Sequence, residues 1–218
     1  QARGAMLAAS CLAGIAFSHS MVGMVHGVSH ALGGVYHIPH GLANALVLPE
    51  VMAYNLESRS DRYADIAEAL GVVFPRPGAA LGNLLRYGGL GFAVPWVRPL
   101  AAVDRWFRRK AAAAGIAYIR DLNRQLAHLT EMPLNLRDAG VNDGLAKLEQ
   151  VADSAMTDGA MLYNPREPER EAVVRIVRAL HETTVAPLPV AATDLRPAGA
   201  TAATREFRNV FPDSETLY

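Results

Sequence analysis

The chain has 218 residues, 21 Lys and Arg against 21 Asp and Glu, 51% apolar and 19% charged residues, and a single cysteine. The apolar share and the length suffice for one large domain or two small ones and exclude a disordered polyampholyte. Zero net charge removes the electrostatic basis for a general nucleic-acid binder, and a lone Cys11, unable to form an internal disulfide, fits a reducing, cytoplasmic setting.

In chain order, residues 3–18 are rich in Ala, Leu and other small residues, which predicts a helix packed closely on its neighbours. The chain starts with Gln inside this helix, so the expectation is a processed chain or a piece of a longer one. A second helix is predicted from Val22 to Gly33, ended by the Gly33-Gly34 pair, with a turn around Pro39. From Gly41 a buried helix resumes and is bent at Pro49, followed by another from Ser58 to Leu70 that stops at Gly71.

Residues 74–99, rich in Gly and Pro, read as a long loop carrying a short helix. Helical spacing returns at Leu100–Ala114 and Ile116–Leu129, then at Asp143–Met161 and Glu167–His181, with a turn at Met132–Gly140. No strand pattern stands out, so the fold class expected is all-α, a multi-helix bundle-like domain over residues 1–188. Residues 189–218 read as an irregular or disordered tail, in which Phe207 and Phe211 form a candidate aromatic anchor.

The charges are unevenly placed. Between Arg3 and Glu50 stand 46 residues without Asp, Glu, Lys or Arg, and five of the seven histidines lie among them: His19, His26, His30, His37 and His40. Five His and three Ser between Gly14 and His40 argue against a membrane span, because lipid offers their polar groups no partners. The segment is expected instead as a pair of helices buried in a protein core and touching a cofactor or substrate.

His26 and His30, four apart, share one helix face, and His40 follows in a turn that folds the chain back over them. The spacing H-x3-H-x9-H can converge on one metal ion, and imidazole suits Zn, Fe, Ni and Cu alike. Ordinary hydrogen-bonded core histidines are the plainer alternative, and spacing alone does not decide between the two.

The stretch AGIAFSHSMVGMVHGVSHALGGVYHIPHGLANALVLPEVMAYN closely resembles the signature of the iron-containing (group III) alcohol dehydrogenases, with its H-x3-H-x9-HG pattern and a later echo in DGAMLYNPREP. The resemblance extends loosely over residues 1–188, the helical C-terminal half of such an enzyme. It implies hydride transfer between NAD or NADP and a small alcohol or aldehyde held at Fe2+, with Zn2+ an alternative. It implies metal ligation by His26 and His40, and a catalytic and cofactor-facing role for His30. Phe17 is implied at the substrate pocket, and His37 there as a proton relay or a group behind the ligands. His19 is expected as a structural or pocket-lining residue, and His128 and His181 as ordinary surface or packing histidines.

A metal polarises a hydroxyl or carbonyl oxygen, a neighbouring imidazole passes the proton, and a weakly charged surround sharpens both effects. The family completes its metal site with an Asp and a third His from an earlier helix, and binds its dinucleotide through an N-terminal domain. The sequence matches neither part, so the chain is expected to be incomplete and inactive alone. A homo-oligomer is expected. The alternative is a catalytically dead helical subunit serving as a metal-binding or oligomerisation partner.

Overall fold

A computed structural model of the chain describes residues 2–72 and 98–183, with side chains from residue 102 onward in the second stretch. The helices are α1 (Ala2–Ser20), α2 (Met24–Tyr36), α3 (His40–Ala69), α4 (Arg98–Thr130), α5 (Leu148–Met156) and α6 (Arg170–Glu182), with a 3-10 helix at Gly159–Tyr163 before α6. No strand occurs among the described residues, and the architecture is all-α. The expected aromatic anchor at Phe207 and Phe211, the tail and most of the Gly- and Pro-rich section lie outside the described residues.

Helix α2 is the hub. Met24, Gly27, Val28, Ala31, Leu32 and Val35 recur at helical spacing and are buried, and they join Ala43, Leu46, Val47 and Val51 of α3 in one core. Leu148, Val151, Ala152 and Ala155 of α5 and Val173, Ile176, Val177 and Leu180 of α6 close that core from the other side. Leu136 and Val141 plug it from the connecting turns, and Leu136 N–H donates to Leu180 O at 3.0 Å.

Helix α2 runs through Gly33 and Gly34 rather than ending there. Two glycines cost a helix roughly 1 kcal/mol each, and burial of Leu32 and Val35, worth roughly 1.5–3 kcal/mol per side chain, outweighs that. The stop comes at His37, in the left-handed region at φ 58°, whose N–H bonds Gly33 O at 3.0 Å. Pro39 then precedes the first residue of α3, His40.

Helix α3 carries Pro49 and breaks at Arg59 (φ −139°, ψ 29°), so it consists of two helical pieces, as the sequence suggests. Gly71, at φ 75°, stops the second piece, with Val72 N–H bonded to Ala67 O at 2.9 Å. Pro49 has no N–H for the carbonyl four residues back. That carbonyl, Ala45 O, instead accepts Asn123 Nδ2 of α4 at 2.6 Å. Arg120 reinforces the same contact through two bonds to Glu50 Oε1, at 3.0 and 3.1 Å.

Two further expectations are corrected. The two helices expected at 100–114 and 116–129 are one, α4, because Gly115 lets it approach α3 so closely that a Cβ there would lie 2.8 Å from Ala67 Cβ. The helix expected at 143–161 is divided, because Gly144 and Leu145 have φ of 63° and 64° and the chain turns helical only at Leu148.

Helix α1 is not closely packed: none of its residues is buried. Its small apolar residues surround the axis without forming a stripe, and Met6, Leu7, Leu12, Ile15 and Phe17 are exposed. No single described helix is long and apolar enough to cross a membrane; α1 and α2 pass that test only together, across a bend of 106°. Because α2 is committed to the core, the expectation of two buried helices holds for one of them and on one face only.

Candidate active site

The α2 stripe that fills the core turns His26 and His30 to the opposite face, and the left-handed cap at His37 swings His40 back over them. The three rings form a cluster. Their centroids lie 5.9 Å apart for His26 and His30, 5.2 Å for His26 and His40, and 5.1 Å for His30 and His40, the last pair stacked at 20°. Asn44, one turn along α3 from His40, places Nδ2 at 2.9 Å from His40 Nε2, while its Oδ1 is buried without a partner. The cluster is not sunk in the core: His30 keeps 48% of its side-chain surface exposed.

A carboxylate joins the cluster from far along the chain. Asp158 Oδ2 lies 2.8 Å from His30 Nδ1, while Asp158 Oδ1 accepts Ala160 N–H at 2.8 Å and caps the 3-10 helix. The segment without charges therefore does not make a site without charges. Burial raises the Asp158 pKa, but the Ala160 N–H, the His30 hydrogen bond and the charges of His30 and His26 together outweigh it and hold the carboxyl below its usual 3.8. Burial, then His40 and His30, lower the His26 pKa against an opposing pull from Asp158, which favours the neutral ring with a free lone pair.

What places Asp158 is the asparagine that follows its short helix. Asn164 Oδ1 accepts Met24 N–H at 3.3 Å, at the start of α2, and Asn55 Nδ2 at 3.0 Å. Asn164 Nδ2 in turn donates to Asn55 Oδ1 at 2.9 Å and to Arg166 O at 2.6 Å. Arg166 lies over the Tyr54 ring at 4.0 Å and donates to Tyr54 O at 3.2 Å. The segment DGAMLYNPRE is thus bonded to both α2 and α3.

Of the residues singled out from the sequence, His26, His30 and His40 are brought together. His37 is exposed at the end of α2 and shares in none of the ring contacts among the three. Phe17 and His19 lie on the exposed α1, Phe17 with 51% of its surface accessible. His181 is buried in packing, with Nε2 3.2 Å from Val141 O, and His128 is exposed near the end of α4. Asp158 is the residue that sequence reasoning missed; its signal was an Asp followed by Gly, a capping pattern, inside DGAMLYNPREP.

Two imidazoles on one ion at about 2.1 Å per nitrogen set their centroids about 5 Å apart, so the His26–His40 spacing of 5.2 Å suits a shared metal. The pair supplies two corners of a site and not the whole of one: among the described residues no group of three His, Cys, Asp or Glu side chains can hold a metal ion.

The family profile "Fe-containing alcohol dehydrogenase family, C-terminal" matches residues 1–81 and 100–181, three quarters of the chain, with the histidine cluster and Asp158 inside the matched ranges. The chain belongs to this family. Among relatives, the 1,3-propanediol dehydrogenase of Klebsiella pneumoniae is 34% identical over 178 residues, a match covering 82% of this chain and 37% of the relative. Lactaldehyde reductase of Escherichia coli (strain K12) is 31% identical over 165 residues, covering 76% of this chain and 34% of the relative. An alcohol dehydrogenase from Oenococcus oeni has a similar structure, with a TM-score of 0.52 and 26% identity over 78% of this chain and 35% of that one. The chain therefore spans little more than a third of the length of these relatives.

Proposed function

We propose that the chain forms the metal-binding helical part of an alcohol dehydrogenase that transfers hydride between a nicotinamide dinucleotide and a small alcohol or aldehyde. The observation that carries this reading is the convergence of His26, His30 and His40, none of whose rings lies more than 5.9 Å from another, on the outer face of α2. Relatives named 1,3-propanediol dehydrogenase and lactaldehyde reductase support small oxygenated substrates. Relatives named as NADPH-dependent and NAD-dependent support a nicotinamide partner without choosing between its two forms. A cytoplasmic homo-oligomer is the setting that suits this reading.

His26 and His40 would hold the metal, Fe2+ by the family and Zn2+ by equal suitability of imidazole, with further ligands from outside the described residues. Bound there, a divalent ion supplies Lewis acidity, lowering the pKa of a hydroxyl or polarising a carbonyl. His30, beside the pair and open to solvent, takes the hydroxyl proton of an alcohol or returns it to a reduced aldehyde. Phe17 and His37 are the proposed pocket residues, Phe17 as an apolar wall and His37 as a relay at the rim.

Equilibrium dialysis against Fe2+ or Zn2+, with metal counted by mass spectrometry, tests the ligand assignment. Weak binding is expected for the chain, reduced tenfold or more in His26→Ala and His40→Ala and kept in His30→Ala. Equal retention in all three variants would sink it. The lack of a three-ligand group among the described residues favours a second reading, a catalytically silent helical subunit that binds metal or assembles with another chain. Alcohol-dependent NAD(P)H formation by the complete protein distinguishes the two.

A further inference from the structure

We propose that Asp158 is a positioning residue for His30: it fixes the imidazole in the tautomer that carries its proton on Nδ1 and leaves Nε2 as a bare hydrogen-bond acceptor. An ionised carboxylate only accepts hydrogen bonds. One Asp158 oxygen, Oδ1, is engaged by Ala160 N–H at 2.8 Å, and the other, Oδ2, meets His30 Nδ1 at 2.8 Å. A contact of that length to an acceptor requires the proton on Nδ1. In the neutral ring Nε2 then has a free lone pair, and the structure shows it no protein hydrogen-bond partner among the described residues.

The arrangement is held from both sides. Asn164 bonds the start of α2 and Asn55 of α3, and so sets the register of Asp158 against His30. The His40 ring, stacked at 20° and 5.1 Å, limits the plane His30 can take. The opposition of burial by hydrogen bonds and neighbouring imidazoles, already described, keeps the carboxyl ionised. A carboxylate and an amide have the same shape, so the carboxylate is distinguished by what it cannot do, which is donate.

The proposal rests on the dehydrogenase reading only for its use: an alcohol hydroxyl gives its proton to an acceptor nitrogen, and the wrong tautomer presents an N–H there instead. An orienting carboxylate acts this way wherever a histidine must be a base, and replacing it by an amide costs the tautomer rather than the fold. Asp158→Asn is informative because Ala160 N–H retains the amide oxygen. The amide NH2 then faces His30 Nδ1 and donates to it, which moves the ring proton to Nε2.

The test is a two-bond 1H–15N correlation of the histidine rings at about pH 8, above the imidazole range, with His30 assigned by its loss in His30→Ala. The wild-type chain is expected to hold His30 with the proton on Nδ1, Asp158→Asn with it on Nε2, and Asp158→Ala as a mixture. A wild-type ring protonated on Nε2 would overturn the proposal without any variant having to fold. An Asp158→Asn ring that keeps its Nδ1 proton in a chain with an otherwise native spectrum would do the same. Metal retention unaffected by His26→Ala and His40→Ala would defeat the functional reading and leave the tautomer result standing.

Discussion

Ser29, between two of the clustered histidines, is fully buried, and its hydroxyl has no hydrogen-bond partner. A buried donor left unsatisfied costs about 1–3 kcal/mol, and alanine is both apolar and the better helix former. Ser29→Ala is therefore expected to raise stability by about 1 kcal/mol, read as a higher urea midpoint with an unchanged slope; a lower midpoint would show that the hydroxyl is bonded after all. Asp158 sets a pH dependence. Its folded pKa lies below 3.8, so the unfolded chain binds the proton more readily, and its contribution is whole above that pH and lost as pH falls through the lower folded value. The gap in urea midpoint between wild type and Asp158→Asn should close as pH falls below about 4. A gap that stays constant to pH 2.5 would contradict the shift.

Helix α3 illustrates how an element tolerates a residue that should break it. Pro49 removes one donor, and Asn123 supplies another from the neighbouring helix, so the freed carbonyl becomes a contact between α3 and α4. Asn123→Ala should cost about 1 kcal/mol, since a part-buried carbonyl is left bare. In a Pro49→Ala background the helix supplies its own N–H to Ala45 O, so the same substitution should cost well under half as much. Additive losses in this double-mutant cycle would mean that Asn123 acts elsewhere. The break at Arg59 and the stop at Gly71 agree with the separate helix read from Ser58 to Leu70 and stopped at Gly71. The continuity of α4 was not, because what made Gly115 acceptable in mid-helix is Ala67 of α3, a residue far away in sequence.

At the scale of the molecule, the core uses α2, α3, α5 and α6 and leaves α1 without a buried residue. Leu7 and Ile15 are 73% and 57% exposed. Leu7→Lys with Ile15→Lys should leave the unfolding free energy, read from urea unfolding, within about 0.5 kcal/mol of wild type. A large loss of stability would show α1 packed against the rest of the chain.

By itself the sequence determined the helical class and pointed to the three histidines that cluster, because both rest on short-range spacing: positions 26 and 30 share a helix face, and a turn read around Pro39 brings His40 back toward them. It also located the segment DGAMLYNPREP without saying what it does. The tertiary structure decided which face of α2 the histidines occupy, since only packing shows that the Met24–Val35 stripe takes the core. It decided, too, that the uncharged segment receives a carboxylate across 128 residues. A hydrogen bond between residues that far apart depends on where α5 and the 3-10 helix come to rest against α2, and no local pattern encodes that.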